Sequence, residues 1–167
     1  MAAQAILLAL VGVPGIYFHS LFGSRGWPEG VKQTGHNRAI NRQKLRRSDL
    51  ERELAQPASL RQQVFSHCAQ LLKARAASPA FHPHGHQQVV ECADTVFAIL
   101  RRAPDHAERV LCLQNVTARP QTVAIAGESL GLNQTTDLVS GAHADLRDGK
   151  VTLAPYQVLW LADHAGT

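Results

Sequence analysis

Two arginines, Arg38 and Arg42, stand in the string Thr34-Gly35-His36-Asn37-Arg38-Ala39-Ile40-Asn41-Arg42. A guanidinium presents a rigid planar fork of donors that suits carboxylates, phosphates or paired hydroxyls. Spacing alone leaves two readings open, a grip on a polar ligand and a plain basic surface. Lys44, Arg46 and Arg47 extend the positive charge and read as solvated. His82, His84 and His86 alternate, and an extended chain would turn all three rings to one side. Three neutral imidazoles can hold zinc. Pro83 and Gly85 make this stretch a turn, however, and no nearby Cys, Asp or Glu completes a ligand set, so no metal is expected. His19 and His36 read as structural histidines, with a ligand or acid/base role as the alternative. The acids of residues 1–80 are only Glu29, Asp49, Glu51 and Glu53, with no evident pair for two-carboxylate chemistry. No Ser-His-Asp or Cys-His arrangement has supporting context. We therefore assign no catalytic residue. Asn115-Val116-Thr117 and Asn133-Gln134-Thr135 match the glycosylation sequon, which carries little meaning without a secretory leader.

The elements that must position these groups begin with an apolar run. Gln4 to Leu10 predicts a buried helix end, and Val13 to Phe18 a buried strand. An apolar run without alternation is what a strand covered on both faces looks like, as in a parallel sheet. A lone parallel strand has no partner in this chain, so the first 20 residues read as the cut end of a larger α/β unit. The run is too short for a membrane span, which needs roughly 20 apolar residues. It also lacks the basic leader of a signal peptide. His19 to Lys44 reads as a long polar segment punctuated by glycines. The loop leaving the C-terminal end of a parallel strand is where ligands bind in such folds. Its glycine spacing matches no nucleotide-binding pattern.

Asp49 to Leu54 predicts one or two helical turns. A firmer helix runs from Ser59 to Ala77, with Leu60, Val64, Cys68, Leu71 and Leu72 on one face, Ser59 as cap and Ser78-Pro79 as stop. Beyond Pro83 short strands are expected at Gln87 to Cys92, Thr95 to Arg101, Arg109 to Asn115, Thr122 to Ala126, Thr136 to Leu138, Val151 to Leu153 and Gln157 to Leu161. Asp148-Gly149 reads as a hairpin turn. Seven strands make a small antiparallel sandwich.

Composition agrees with a globular chain: 167 residues, 45% hydrophobic, 18% charged. It excludes a disordered tail, a coiled coil and a collagen-like chain. Three cysteines are too few for a disulfide scaffold and point to a reducing cytoplasm. Residues 1–80 carry 11 Lys and Arg against 4 Asp and Glu, a net +7, whereas residues 81–167 carry 6 against 9, a net −3. The six basic residues from Lys32 to Arg47 have no interleaved aromatic, which argues against nucleic acid as partner.

Gly12-Val13-Pro14-Gly15-Ile16-Tyr17 resembles the eighth barrel strand of the alpha-amylase superfamily, glycoside hydrolase family thirteen. The longer string from His19-Ser20-Leu21-Phe22-Gly23-Ser24 through Gly30-Val31 to Arg42 is similar to the sucrose-phosphorylase-like subfamily, and within it to glucosylglycerate phosphorylases. Ala80-Phe81-His82-Pro83 and Asn115-Val116-Thr117 also look like that subfamily. His36 departs from the pattern, standing where the subfamily has Arg.

The resemblance implies a fold of α/β plus all-β type. Residues 1–80 would be the C-terminal end of a (β/α)8 barrel, with strand eight and helix eight. Residues 81–167 would be a C-terminal antiparallel β-sandwich. It implies the C-terminal part of a retaining phosphorylase that transfers a glucosyl unit from an α-glucoside, of sucrose or glucosylglycerate type, to phosphate through a covalent glucosyl-enzyme. The three catalytic carboxylates of the family would precede Met1, so this chain alone is expected to be inactive. Arg38 is the expected glucose-subsite contact and Arg42 the second. The expected partners are the α-glucoside and phosphate, with no cofactor, nucleic acid or membrane; acceptor and oligomeric state stay open. The alternatives are a hydrolase or transglucosidase of the same superfamily, and a non-catalytic carbohydrate-binding β-domain. The latter would want exposed aromatics, whereas Phe97, Tyr156 and Trp160 read as core.

Overall fold

The computed structural model describes residues 1–132, 134–146 and 148–163. The chain divides into two compact units, one formed by Met1–Pro14 with Gln70–Thr167 and the other by Gly15–Ala69.

The first unit is built on antiparallel strands. A six-stranded sheet runs in the order β1 (His86–Val89), β2 (Val96–Arg102), β3 (Arg109–Asn115), β8 (Val158–Asp163), β5 (Gln134–Asp137), β6 (His143–Asp145). A two-stranded sheet pairs β4 (Gln121–Ala124) with β7 (Lys150–Leu153). Val96, Ala98 and Leu100 of β2, Leu111 and Leu113 of β3 and Leu161 of β8 share one core with Val123, Val151 and Leu153 of the small sheet. That is a two-layer sandwich. The opposite face of β2, β3 and β8 is also buried. Helix α1 (Ala2–Ala9) packs on β2 and β3 with Ala5, Leu8 and Ala9 fully covered. The Phe81 ring lies 4.7 Å from the buried Trp160 ring. Burial on both faces explains why β2 and β3 show no alternation of apolar and polar residues.

Two arginines close that second face. Arg101 is buried and donates to Ala9 O at 2.9 Å, His82 O at 3.2 Å and His86 O at 3.3 Å. Arg75 donates to Gly12 O at 2.7 Å and to Leu8 O. Guanidinium charge thus meets the negative end of α1. Both groups lie over the Phe81 ring, at 5.5 and 5.8 Å. Burial lowers the pKa of both, and for Arg101 the Arg75 charge adds to the effect.

Several sequence expectations need correction here. Val13 to Phe18 is not a strand. Every strand pair among the described residues is antiparallel and none includes this run, so its backbone has no ladder to join. Val13 is 84% exposed. His19 to Lys44 is not an irregular loop. It carries the end of α2 (Phe18–Leu21), all of α3 (Pro28–Thr34) and a 3-10 turn over Asn37–Asn41. The proline at the first position of α3 and Gly35 at its left-handed end (φ 69°) are the start and stop signals of a short helix. Asp148-Gly149 forms a turn, with Gly149 N donating to Leu146 O at 3.0 Å, but β6 and β7 do not pair. The turn carries the chain from one sheet to the other. Tyr156 is half exposed rather than core. Helix α4 (Arg47–Leu54) and helix α5 (Leu60–Ala77) form where expected, and Ser59 Oγ accepts from Gln62 N at 3.1 Å as the cap of α5.

Candidate functional site

The segment that carries Arg38 and Arg42 lies wholly in the Gly15–Ala69 unit, and its backbone is pinned at several points. Trp27 N donates to Ile40 O at 2.7 Å, and Tyr17 Oη to Asn41 O at 2.5 Å. Gly30 lies so close under the Trp27 ring that a Cβ there would stand 2.0 Å from ring carbon Cε3. Thr34 Oγ1 closes the last turn of α3 on Gly30 O at 2.7 Å. Ala39 is buried and anchors the 3-10 turn.

Arg38 and Arg42 project from this anchored turn. Both are exposed, and neither side chain has a hydrogen-bond or ion-pair partner among the described residues. A fixed backbone with unspent guanidinium donors is the arrangement a ligand grip requires. Lys44 is exposed, and Arg47 pairs with Glu51 at 2.6 Å, the two side chains 90% and 58% exposed. These charges are solvated, as expected. His36 is exposed, and His19 Nδ1 lies 2.9 Å from Ser24 Oγ.

A further group at this site escaped the sequence reading. Arg61, on the first turn of α5, places Nε 2.6 Å from Glu53 Oε2 and Nη1 2.9 Å from Ser24 Oγ and 3.3 Å from Phe22 O. The Phe22 ring stacks on Phe65 at 5.3 Å. The base of the pinned segment is thereby tied to α4 and α5. Trp27, Glu29, Gln43, Glu53 and Arg61 line a cavity of about 350 Å³ that neither Arg38 nor Arg42 borders. The other acids of this unit are spent locally, Glu51 on Arg47 and Asp49 on Arg52 at 2.9 Å.

The three alternating histidines do not converge. His82 and His84 keep their rings 5.6 Å apart, while His86 stacks on His106 at 4.7 Å. Asn115 is fully buried. It donates to Arg119 O at 2.7 Å and Ala154 O at 2.9 Å and accepts from Thr117 N and Oγ1. The sequon there is a structural turn. Asn133 lies outside the described residues. No helix among the described residues is long and apolar enough to cross a membrane.

Solved structures share this fold. AmyP in complex with maltose superposes with a TM-score of 0.75 at 20% identity, covering 99% of this chain and 35% of that one. An Anoxybacillus alpha-amylase gives 0.70 at 19% identity, covering 99% and 32%. Residues 94–161 match the model of the D-apionate lactonase C-terminal immunoglobulin-like domain.

By sequence the chain is homologous over nearly its whole length to glucosylglycerate phosphorylases. It is 45% identical to that of Spirochaeta thermophila over 98% of this chain and 30% of the relative, and 38% identical to that of Allomeiothermus silvanus over 98% and 26%. The Escherichia coli protein is 35% identical over 95% and 27%. The chain thus spans less than a third of the length of these relatives.

Proposed function

We propose that this chain is the C-terminal part of a retaining sugar phosphorylase of the alpha-amylase family, acting on an α-glucoside such as glucosylglycerate. The observation that carries the reading is the 45% identity to a glucosylglycerate phosphorylase across 98% of this chain. In this reading residues 1–80 supply the C-terminal end of the catalytic barrel, with α5 as its last helix, and residues 81–167 its C-terminal β-domain. Phosphate takes the glucosyl unit from a covalent intermediate formed on carboxylates that lie elsewhere in the whole protein. No residue of this chain is nucleophile or general acid.

The part played by this chain is binding. Arg38 grips the glucosyl ring, either through its hydroxyls or by fixing a carboxylate that holds them, and Arg42 assists. Their pinned backbone means that little ordering is needed when the ligand arrives. Three free cysteines fit a cytoplasmic location.

The test is a chimaera in which this chain replaces its matching stretch of the Spirochaeta thermophila enzyme. Phosphate-dependent release of glucose 1-phosphate from glucosylglycerate is the expected result. A folded chimaera that releases only free glucose would overturn phosphorolysis in favour of hydrolysis. The 167-residue chain by itself should release neither.

A further inference from the structure

We propose that the β1–β2–β3 end of the sandwich is a phosphate-binding site, built by His86, Arg102 and His106 and separate from the Arg38 loop. His86 pairs across the sheet with Arg102, and Arg102 in turn with Arg109. Three basic residues therefore follow one another across the three strands. Like charges placed directly opposite each other repel, and a bound anion would relieve that. Arg109 spends its guanidinium on Leu130 O and Gly131 O, at 3.2 and 3.3 Å. Arg102 does not. Its Nη2 reaches Gln88 Oε1 only at 3.5 Å, and its Nε is buried with no acceptor. A buried donor of this kind asks for a partner.

His106 completes the cluster from the connection between β2 and β3. It holds a left-handed backbone (φ 60°), a conformation that side-chain-bearing residues adopt at a cost. That conformation sets its ring on His86 with centroids 4.7 Å apart and planes within 15°. His86, Gln88, Leu100, Arg102 and His106 line a cavity of about 200 Å³. Two acids of the β2–β3 connection have partners of their own. Asp105 accepts from Ala107 N at 3.0 Å, and Glu108 accepts from Ser78 Oγ. The fork of Arg102 and the ring N–H donors of two imidazoles match a tetrahedral dianion. The ligand is a phosphate group, either free phosphate or a phosphate monoester.

The test uses the whole chain and the imidazole NMR signals of His86 and His106. Titration with inorganic phosphate, and separately with glucose 1-phosphate, should shift both rings saturably, with sodium chloride as the ionic-strength control. Arg102→Gln should weaken binding roughly tenfold to 150-fold, the loss expected for a charged hydrogen bond. His106→Asn tolerates the left-handed backbone and gives a second variant should Arg102→Gln unfold; it too should weaken binding. A response to both ligands marks free phosphate as sufficient; a response to glucose 1-phosphate alone marks the monoester. Rings that move no more with phosphate than with chloride, or binding unchanged in both variants, would overturn the site. The readout is independent of phosphorolysis, so a failed chimaera leaves it intact.

Discussion

Arg61 Nε stands 2.6 Å from Glu53 Oε2, and the same guanidinium reaches Ser24 Oγ and Phe22 O. One side chain, 16% exposed, thus joins α4, α5 and the start of the segment that carries Arg38. Glu53 is 44% exposed, so solvent screens part of the pair.

Arg61→Ala should therefore destabilise this unit by about 1–3 kcal/mol, toward the lower end because of that screening. Arg61→Lys keeps the charge and loses the fork, and should recover less than half of the loss. Hydrogen exchange of the amides from Gly23 to Trp27 checks this, since they should exchange faster in both variants. Unchanged exchange in Arg61→Ala would show that the segment is held by its own contacts.

Arg38→Ala in the chimaera should lower kcat/KM roughly tenfold to 150-fold, the equivalent of about 1.5–3 kcal/mol for a charged hydrogen bond. Arg38→Lys should rescue little. Lys44→Ala and Arg47→Ala should change activity by less than about threefold, as expected of exposed charges. Equal small effects at Arg38 and Arg47 would reduce the segment to a basic surface.

The sequence made some of this legible and hid the rest for identifiable reasons. Arg109–Asn115 is readable as a strand because its apolar run is bounded by turn signals, and α5 because Leu60, Val64, Cys68, Leu71 and Leu72 recur at helical spacing, although of these Cys68 and Leu71 are buried while Leu60 is 49% exposed. Val13 to Phe18 carries the same apolar texture as β3 but lacks a partner, and a strand depends on its neighbour rather than on its own residues. His143–Asp145 was missed because a three-residue polar strand has no pattern to detect. Arg38 and Arg42 were legible as a motif. Arg61 was not, since Glu53 and Ser24 lie at no helical spacing from it and only the tertiary fold brings them together.

Asn115→Ala should cost about 2–4 kcal/mol, because the carbonyls of Arg119 and Ala154 and the Thr117 donors lose their partner in a buried site. Asn115→Asp should be nearly as harmful, since a carboxylate accepts but cannot donate to those carbonyls. Chemical denaturation measures both. A variant within experimental error of the parent would show that water replaces the carboxamide.

The cysteines give a prediction with a defined sign in pH. Burial pushes the Cys112 thiol far above the usual thiol range, and the nearby Arg101 and Arg75 charges oppose this without overcoming it. Cys68 is also raised by burial, whereas Cys92 is exposed. In the unfolded chain a thiol loses its proton near pH ~8.5. Above that pH the unfolded state has released a proton that the native state still holds at Cys112, so alkali favours unfolding. The stabilisation is complete below the unfolded pKa and declines as pH rises, by up to about 1.4 kcal/mol per pH unit. Cys112→Ala should flatten this decline between about pH 8.5 and 10. In the folded chain a thiol reagent should modify Cys92 quickly and Cys112 only on unfolding. Rapid labelling of Cys112 under native conditions would mean that the face beneath α1 opens readily, and the stability of the β8–β3 register around it would have to be reconsidered.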